Sequence, residues 1–163
     1  MQKLHLLRAH LINAVPTLAK DPERLLTFVE EGSIAFRRGP NLTHEYQFTA
    51  QLVLTDFSAN LDTIIVPLLQ WLAEYHPDAD PAEAIRFEAE ILSHQSVDVA
   101  LRVTLSERVL AKVECATGHI KVDRALPRFE TTGCPDTRWQ LLIRDSDAQN
   151  DYTLVAEWDG PHG

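Results

Sequence analysis

Ile85-Arg86-Phe87-Glu88-Ala89-Glu90-Ile91 and Val97-Asp98-Val99-Ala100-Leu101-Arg102-Val103-Thr104-Leu105 each put an apolar residue at every second position, on either side of a Ser93-to-Ser96 break. A period of two sends one set of side chains to one face of a strand and the rest to the other. Two such runs across a short loop predict a β-hairpin. Toward the C-terminus, residues 109–113 predict a further strand, broken by Thr117-Gly118. From Leu126 onward Pro127, Gly133 and Pro135 predict an extended segment, closed by two short strands at 139–143 and 152–158.

Upstream, Tyr46, Phe48, Ala50, Leu52 and Leu54 alternate with Glu45, Gln47, Thr49 and Gln51, which predicts a strand with one wet face. Over 44–55 it would run about 40 Å, roughly twice the usual strand. Before it, 25–30 and 33–38 read as two short strands joined by a tight turn at Glu31-Gly32. Gly39-Pro40-Asn41 is a second break.

Two segments carry helical periodicity instead. Leu4, Leu7, Leu11, Ala14 and Leu18 recur at spacings of three and four, but Pro16 predicts an end near residues 13–15, with a linker over 17–23. Leu61, Ile64, Ile65, Leu68, Leu72 and Tyr75 form a second stripe, capped by Asn60 or Asp62 and bent by Pro67. The order helix, strands, helix, strands predicts an α+β fold: a mainly antiparallel sheet with two amphipathic helices packed on it. Residues 1–125 read as one domain, and 126–163 as a C-terminal extension whose β-hairpin packs on that domain or on a neighbour.

Among 163 residues, 15 Lys and Arg face 24 Asp and Glu, a formal charge of −9, which argues against a general duplex-DNA or anionic-membrane binder. No apolar run nears the roughly 20 residues of a membrane span. The N-terminal stretch carries charge within its apolar run, so the expected compartment is a cytoplasm.

Motifs for chemistry are largely missing. No glycine-rich loop precedes a helix, and there is no Gly-x-Ser-x-Gly elbow or His-Glu-x-x-His pair. Cys115 and His119, with Cys134 as a third candidate, fall short of the four ligands of structural zinc. Glu88 and Glu90 put two carboxylates about 6.6 Å apart on one strand face, an arrangement that serves acid–base catalysis or simply a solvated strand or interface. Arg37-Arg38 is the doubled basic pair, suited to loop solubility or to an acidic partner. The residues therefore predict no catalytic, cofactor-binding or metal site, and Arg37, Arg38, Glu88 and Glu90 are the candidate partner contacts.

Several motifs in order resemble the tail completion protein R (GpR) family of contractile-tailed phages and prophages. They are Asp21-Pro22-Glu23-Arg24-Leu25, Phe28-Val29-Glu30 with Gly32 and Ile34, Tyr46, and Leu54-Thr55-Asp56-Phe57. Val66-Pro67-Leu68-Leu69 with Trp71-Leu72, Ile85-Arg86-Phe87-Glu88 with Glu90-Ile91-Leu92, and Val97-Asp98-Val99 complete them. The likeness covers roughly residues 1–125, with 126–163 departing from the pattern. It implies a structural protein without cofactor that completes and caps the head-proximal end of a virion tail, assembled in the bacterial host cytoplasm, and allows head–tail joining. By fold-level analogy with tail terminators it implies a homo-oligomer, a six-fold ring, that meets tail tube and sheath proteins and the head–tail connector and lets DNA pass. The competing readings are a tail-tube or connector subunit and a small ligand-binding or enzymatic α+β domain.

Overall fold

The computed structural model describes residues 1–93, 96–126, 128–129, 134, 138–144 and 151–160. The expected breakers Pro127, Gly133 and Pro135 and the middle of the turn between the two alternating runs, residues 94–95, lie outside these residues. So do residues 145–150 and 161–163 of the C-terminal extension.

The fold is α+β. A five-stranded antiparallel sheet has the order β1-β2-β4-β3, with β5 also paired to β4, and a separate two-stranded ladder joins β6 to β7. The strands are β1 (Leu25–Phe36), β2 (His44–Phe57), β3 (Ile85–Ile91), β4 (Val97–Glu114), β5 (His119–Ala125), β6 (Arg138–Ile143) and β7 (Thr153–Asp159). The α-helices among the described residues are α1 (Gln2–Ala14), α2 (Pro16–Lys20) and α3 (Asp62–Tyr75).

The apolar sets fall where their periods demand. Phe48, Ala50, Leu52 and Leu54 of β2 and Val99, Leu101, Val103 and Leu105 of β4 are buried on one face. Leu7 and Leu11 of α1 and Ile64, Leu68 and Trp71 of α3 close that core. Pro67 sits inside α3, and the His10 ring of α1 donates to its carbonyl from Nε2 at 3.2 Å. Asn60 Oδ1 accepts the Asp62 N–H at 2.8 Å, so Asn60 serves the start of α3 from two residues upstream. On the far side of the helices, Ala156 and Trp158 of β7 join the core, and Trp158 Nε1 donates to Gln70 Oε1 at 2.8 Å.

Three local expectations give way. Glu31-Gly32 is no turn: β1 is one strand of 12 residues, with a register shift between Val29 and Glu31. Gly32 keeps an ordinary φ, because the 14-residue β2 offers a partner along the whole length. Residues 109–113 are no separate strand but the end of the 18-residue β4. The polar run Ser106-Glu107-Arg108 stays extended because Glu107 points inward and is fully buried. The linker over 17–23 contains α2 and a 3₁₀ turn, Pro22–Arg24. Pro16 ends α1 yet opens α2, since a first helical residue needs no N–H.

β4 therefore runs about 60 Å, well beyond the helices. At this distal end Gly39 and Gly118 take positive φ values of 133° and 69° in the β1–β2 and β4–β5 turns, where a side chain would be strained. Thr43 Oγ1 accepts the Ala111 N–H at 3.1 Å and ties the β1–β2 turn to β4.

Candidate functional site

The helices stop covering the sheet near Glu107. Its Oε2 accepts the Lys3 backbone N–H at 3.0 Å, satisfying an amide in the first turn of α1 from a distant strand. Its Oε1 pairs with Arg124 Nε of β5 at 3.0 Å. Lys3 Nζ donates to the Tyr75 carbonyl at the end of α3, 2.8 Å away. Burial lowers the pKa of this ammonium, against the opposing pull of Glu107, Glu45 and Asp78. One small polar cluster thus fixes where both helices end on the sheet.

Burial also holds the nearby His76 imidazole below its ordinary value of 6.5, assisted by Lys3 and opposed by Asp78 and Glu45. The unfolded chain then takes up this proton more readily than the folded one. Stability from this group is intact above pH 6.5 and is lost as the pH falls from there through the folded pKa. Thermal unfolding between pH 7.5 and 5 should show a shallower acid decline in His76→Asn than in the parent.

Beyond Glu107 no described helix covers the helix-side face of the sheet. By register, Ile34 and Phe36 of β1, Val113 of β4 and Ile120 and Val122 of β5 share that face with buried Val109. Phe36 is 71% exposed, Val122 59% and Ile34 56%. A groove of about 500 Å³ runs between Ile34, Phe36, Leu42 and His44, with Arg37 and Arg38 at its rim. Neither arginine has an ion-pair partner among the described residues.

Glu88 and Glu90 lie elsewhere, on the outer face of β3 opposite Ala100 and Asp98. Arg102 bridges that face at 2.9 Å to Glu88 and 2.9 Å to the bulged Glu30. Within one chain, then, the basic pair and the two carboxylates stand at opposite ends of the sheet. The bare apolar face escaped the sequence reading. Alternation says which residues share a face, and it is silent on how far a helix covers that face.

Cys115 and Cys134 are free and exposed, and no group of three or more His, Cys, Asp or Glu among the described residues is placed to hold a metal. We expect elemental analysis to find less than one equivalent of zinc, with no change in Cys115→Ser; an equivalent lost with that substitution would overturn this. No helix among the described residues is long and apolar enough to cross a membrane.

The family model for P2 phage tail completion protein R (GpR) matches residues 1–127. The chain belongs to the P2 phage tail completion protein R family. It is 34% identical over 164 aligned positions to the tail completion protein R of Escherichia phage P2, across 98% of this chain and 99% of that one. No solved structure matches. Membership makes the role a structural one in completing the phage tail, and makes the chain a tail component that interacts with others. The tail-tube, connector and ligand-binding or enzymatic alternatives find no support in these matches.

Proposed function

We propose that this tail completion protein caps the head-proximal end of the tail by self-association into a closed ring of six. The ring then docks on tail tube and sheath on one side and on the head–tail connector on the other, without catalysing a reaction. The observation that carries this reading is the sheet that outruns its helices, ending in a bare apolar face rimmed by Arg37 and Arg38. Apolar side chains held on exposed edge strands need a cover, and ring closure leaves no end uncovered. Arg37, Arg38, Glu88 and Glu90 are the polar contacts to neighbours in this scheme. Residues 1–125 form the assembling domain, and 126–163 are a C-terminal extension, of which the described strand β7 packs on the helices through Ala156 and Trp158. With a charge of −9 per copy, a lumen lined by such subunits would let phosphates pass rather than hold them.

Electron microscopy of the purified protein, with light scattering for its mass, tests this. Closed rings of uniform mass are expected. Open-ended tubes would assign the chain to the tube instead, and a monomer at every concentration would remove self-association from the account.

A further inference from the structure

The two edges of the sheet that no other described strand covers match one another. One row across the sheet holds Phe36, His44, Val109 and Arg124, and a lower one holds Leu25, Leu54, Val99 and Ala89. All neighbouring strands are antiparallel, so β1 at one edge runs opposite to β3 and β5 at the other. A second copy set alongside in the same orientation therefore continues the alternation, with its β1 antiparallel to β3 and β5. Both edges are also interrupted at one height. The irregularity in β1 lies between Val29 and Glu31, whose row runs through Ala50 and Thr49 to Val103 and Thr104. There β3 has just ended at Ile85, and β5 resumes the edge only at Ala125, opposite Arg108.

Faces agree as well as directions. At equal height, Val29 would meet Ile85 and Thr27 would meet Phe87 on the helix side, and Leu26 would meet Glu88 on the other. Continuing β1 one residue past Phe36, its last paired position, would put Arg37 level with Asp123, the outward residue before Arg124. Asp123 is exposed, and like Arg37 and Arg38 it has no ion-pair partner among the described residues. An unpaired acid thus stands on one edge at the height that an unpaired cation, Arg37, would reach on the other.

We propose that the β1 edge of one copy pairs antiparallel with the β3–β5 edge of a second copy of this chain, with Arg37 meeting Asp123 across the seam. This rests on the self-association proposed above and specifies its contact: head-to-tail, with a different surface from each partner, as ring closure requires. Main-chain hydrogen bonds supply the adhesion of an added strand. The charge pair fixes the register, since a slip by one residue would turn Arg37 to the opposite face.

Directly opposed residues on paired strands lie about 4.5–5.5 Å apart, within reach of a disulfide. In full-length protein with Cys115 and Cys134 changed to Ser, Arg37→Cys is made in one batch and Asp123→Cys in another. Under oxidation, a covalent dimer is expected in the mixture and in neither batch alone. A disulfide formed by either batch alone would mean two-fold pairing of like edges and would overturn the proposal. Oligomer by light scattering with no disulfide in the mixture would also overturn it, leaving the ring intact by another contact. Neither oligomer nor disulfide would remove both. Leu26→Cys with Glu88→Cys, opposed in the lower half of the same seam, gives the same readout should either first variant misfold.

Discussion

A Leu68→Ala variant should lose roughly 2–5 kcal/mol of stability, as large-to-Ala changes in a packed core do. Leu68 has no exposed surface and belongs to the same buried cluster as Leu7 and Leu11 of α1 and Leu52 and Leu101 of the sheet. It also follows Pro67, whose carbonyl accepts from His10 at 3.2 Å, so the surrounding turn is held and has little freedom to collapse into the void. Against a typical domain stability of about 5–15 kcal/mol, the upper end of that loss would leave a marginal fold. Leu69 supplies the internal control. It is 51% exposed on the same helix, and Leu69→Ala should stay within about 0.5 kcal/mol. Urea titration of both variants checks the pair. A loss below about 0.5 kcal/mol for Leu68→Ala would place that helix face in solvent.

The elements that were legible in the sequence are those whose partners leave a periodic trace. Strands β3, β2 and the first half of β4 alternate cleanly, and the stripes of α1 and α3 hold their spacing across Pro16 and Pro67. What misled was local composition without its partner. Glu31-Gly32 looks like a tight turn in isolation, yet it pairs with Thr49 and Phe48 of a strand long enough to keep it extended. Ser106-Glu107-Arg108 looks like a break, because nothing nearby reveals that Glu107 turns inward. Its partners are the Lys3 amide and the Arg124 side chain, and the first lies 104 residues away.

The candidate site divides in the same way. Arg37-Arg38 stands out in the sequence as a candidate because it is a doubled cation in an acidic chain. Phe36 and Ile34 beside it were not, since the pattern that places them on the helix side equally describes a core residue. Their exposure follows from the 13-residue length of α1 against the 18-residue length of β4. At roughly 1.5 Å per residue in a helix and 3.3 Å in a strand, the helix spans about a third of the strand's length. The distal sheet stays bare for that geometric reason, and no single residue announces it.

Changing Arg37 and Arg38 together to Glu should abolish self-association and tail completion while leaving the monomer folded. Both side chains are exposed at the end of β1, where surface substitutions seldom cost more than about 0.5 kcal/mol. Assembly is a different matter. Copies that each carry −9 repel on approach, and the double change moves each to −13, because two cations become two anions. The added charge also sits at the groove rim beside Phe36 and Leu42, where contact would exclude water and weaken screening. Raising the salt concentration should then rescue part of the assembly if the loss is repulsion, and none of it if the distal strands have lost their shape. Circular dichroism, light scattering across a salt series and head joining in a complementation assay separate these cases. An unchanged oligomer mass together with normal head joining would return both arginines to the role of solubilising loop residues.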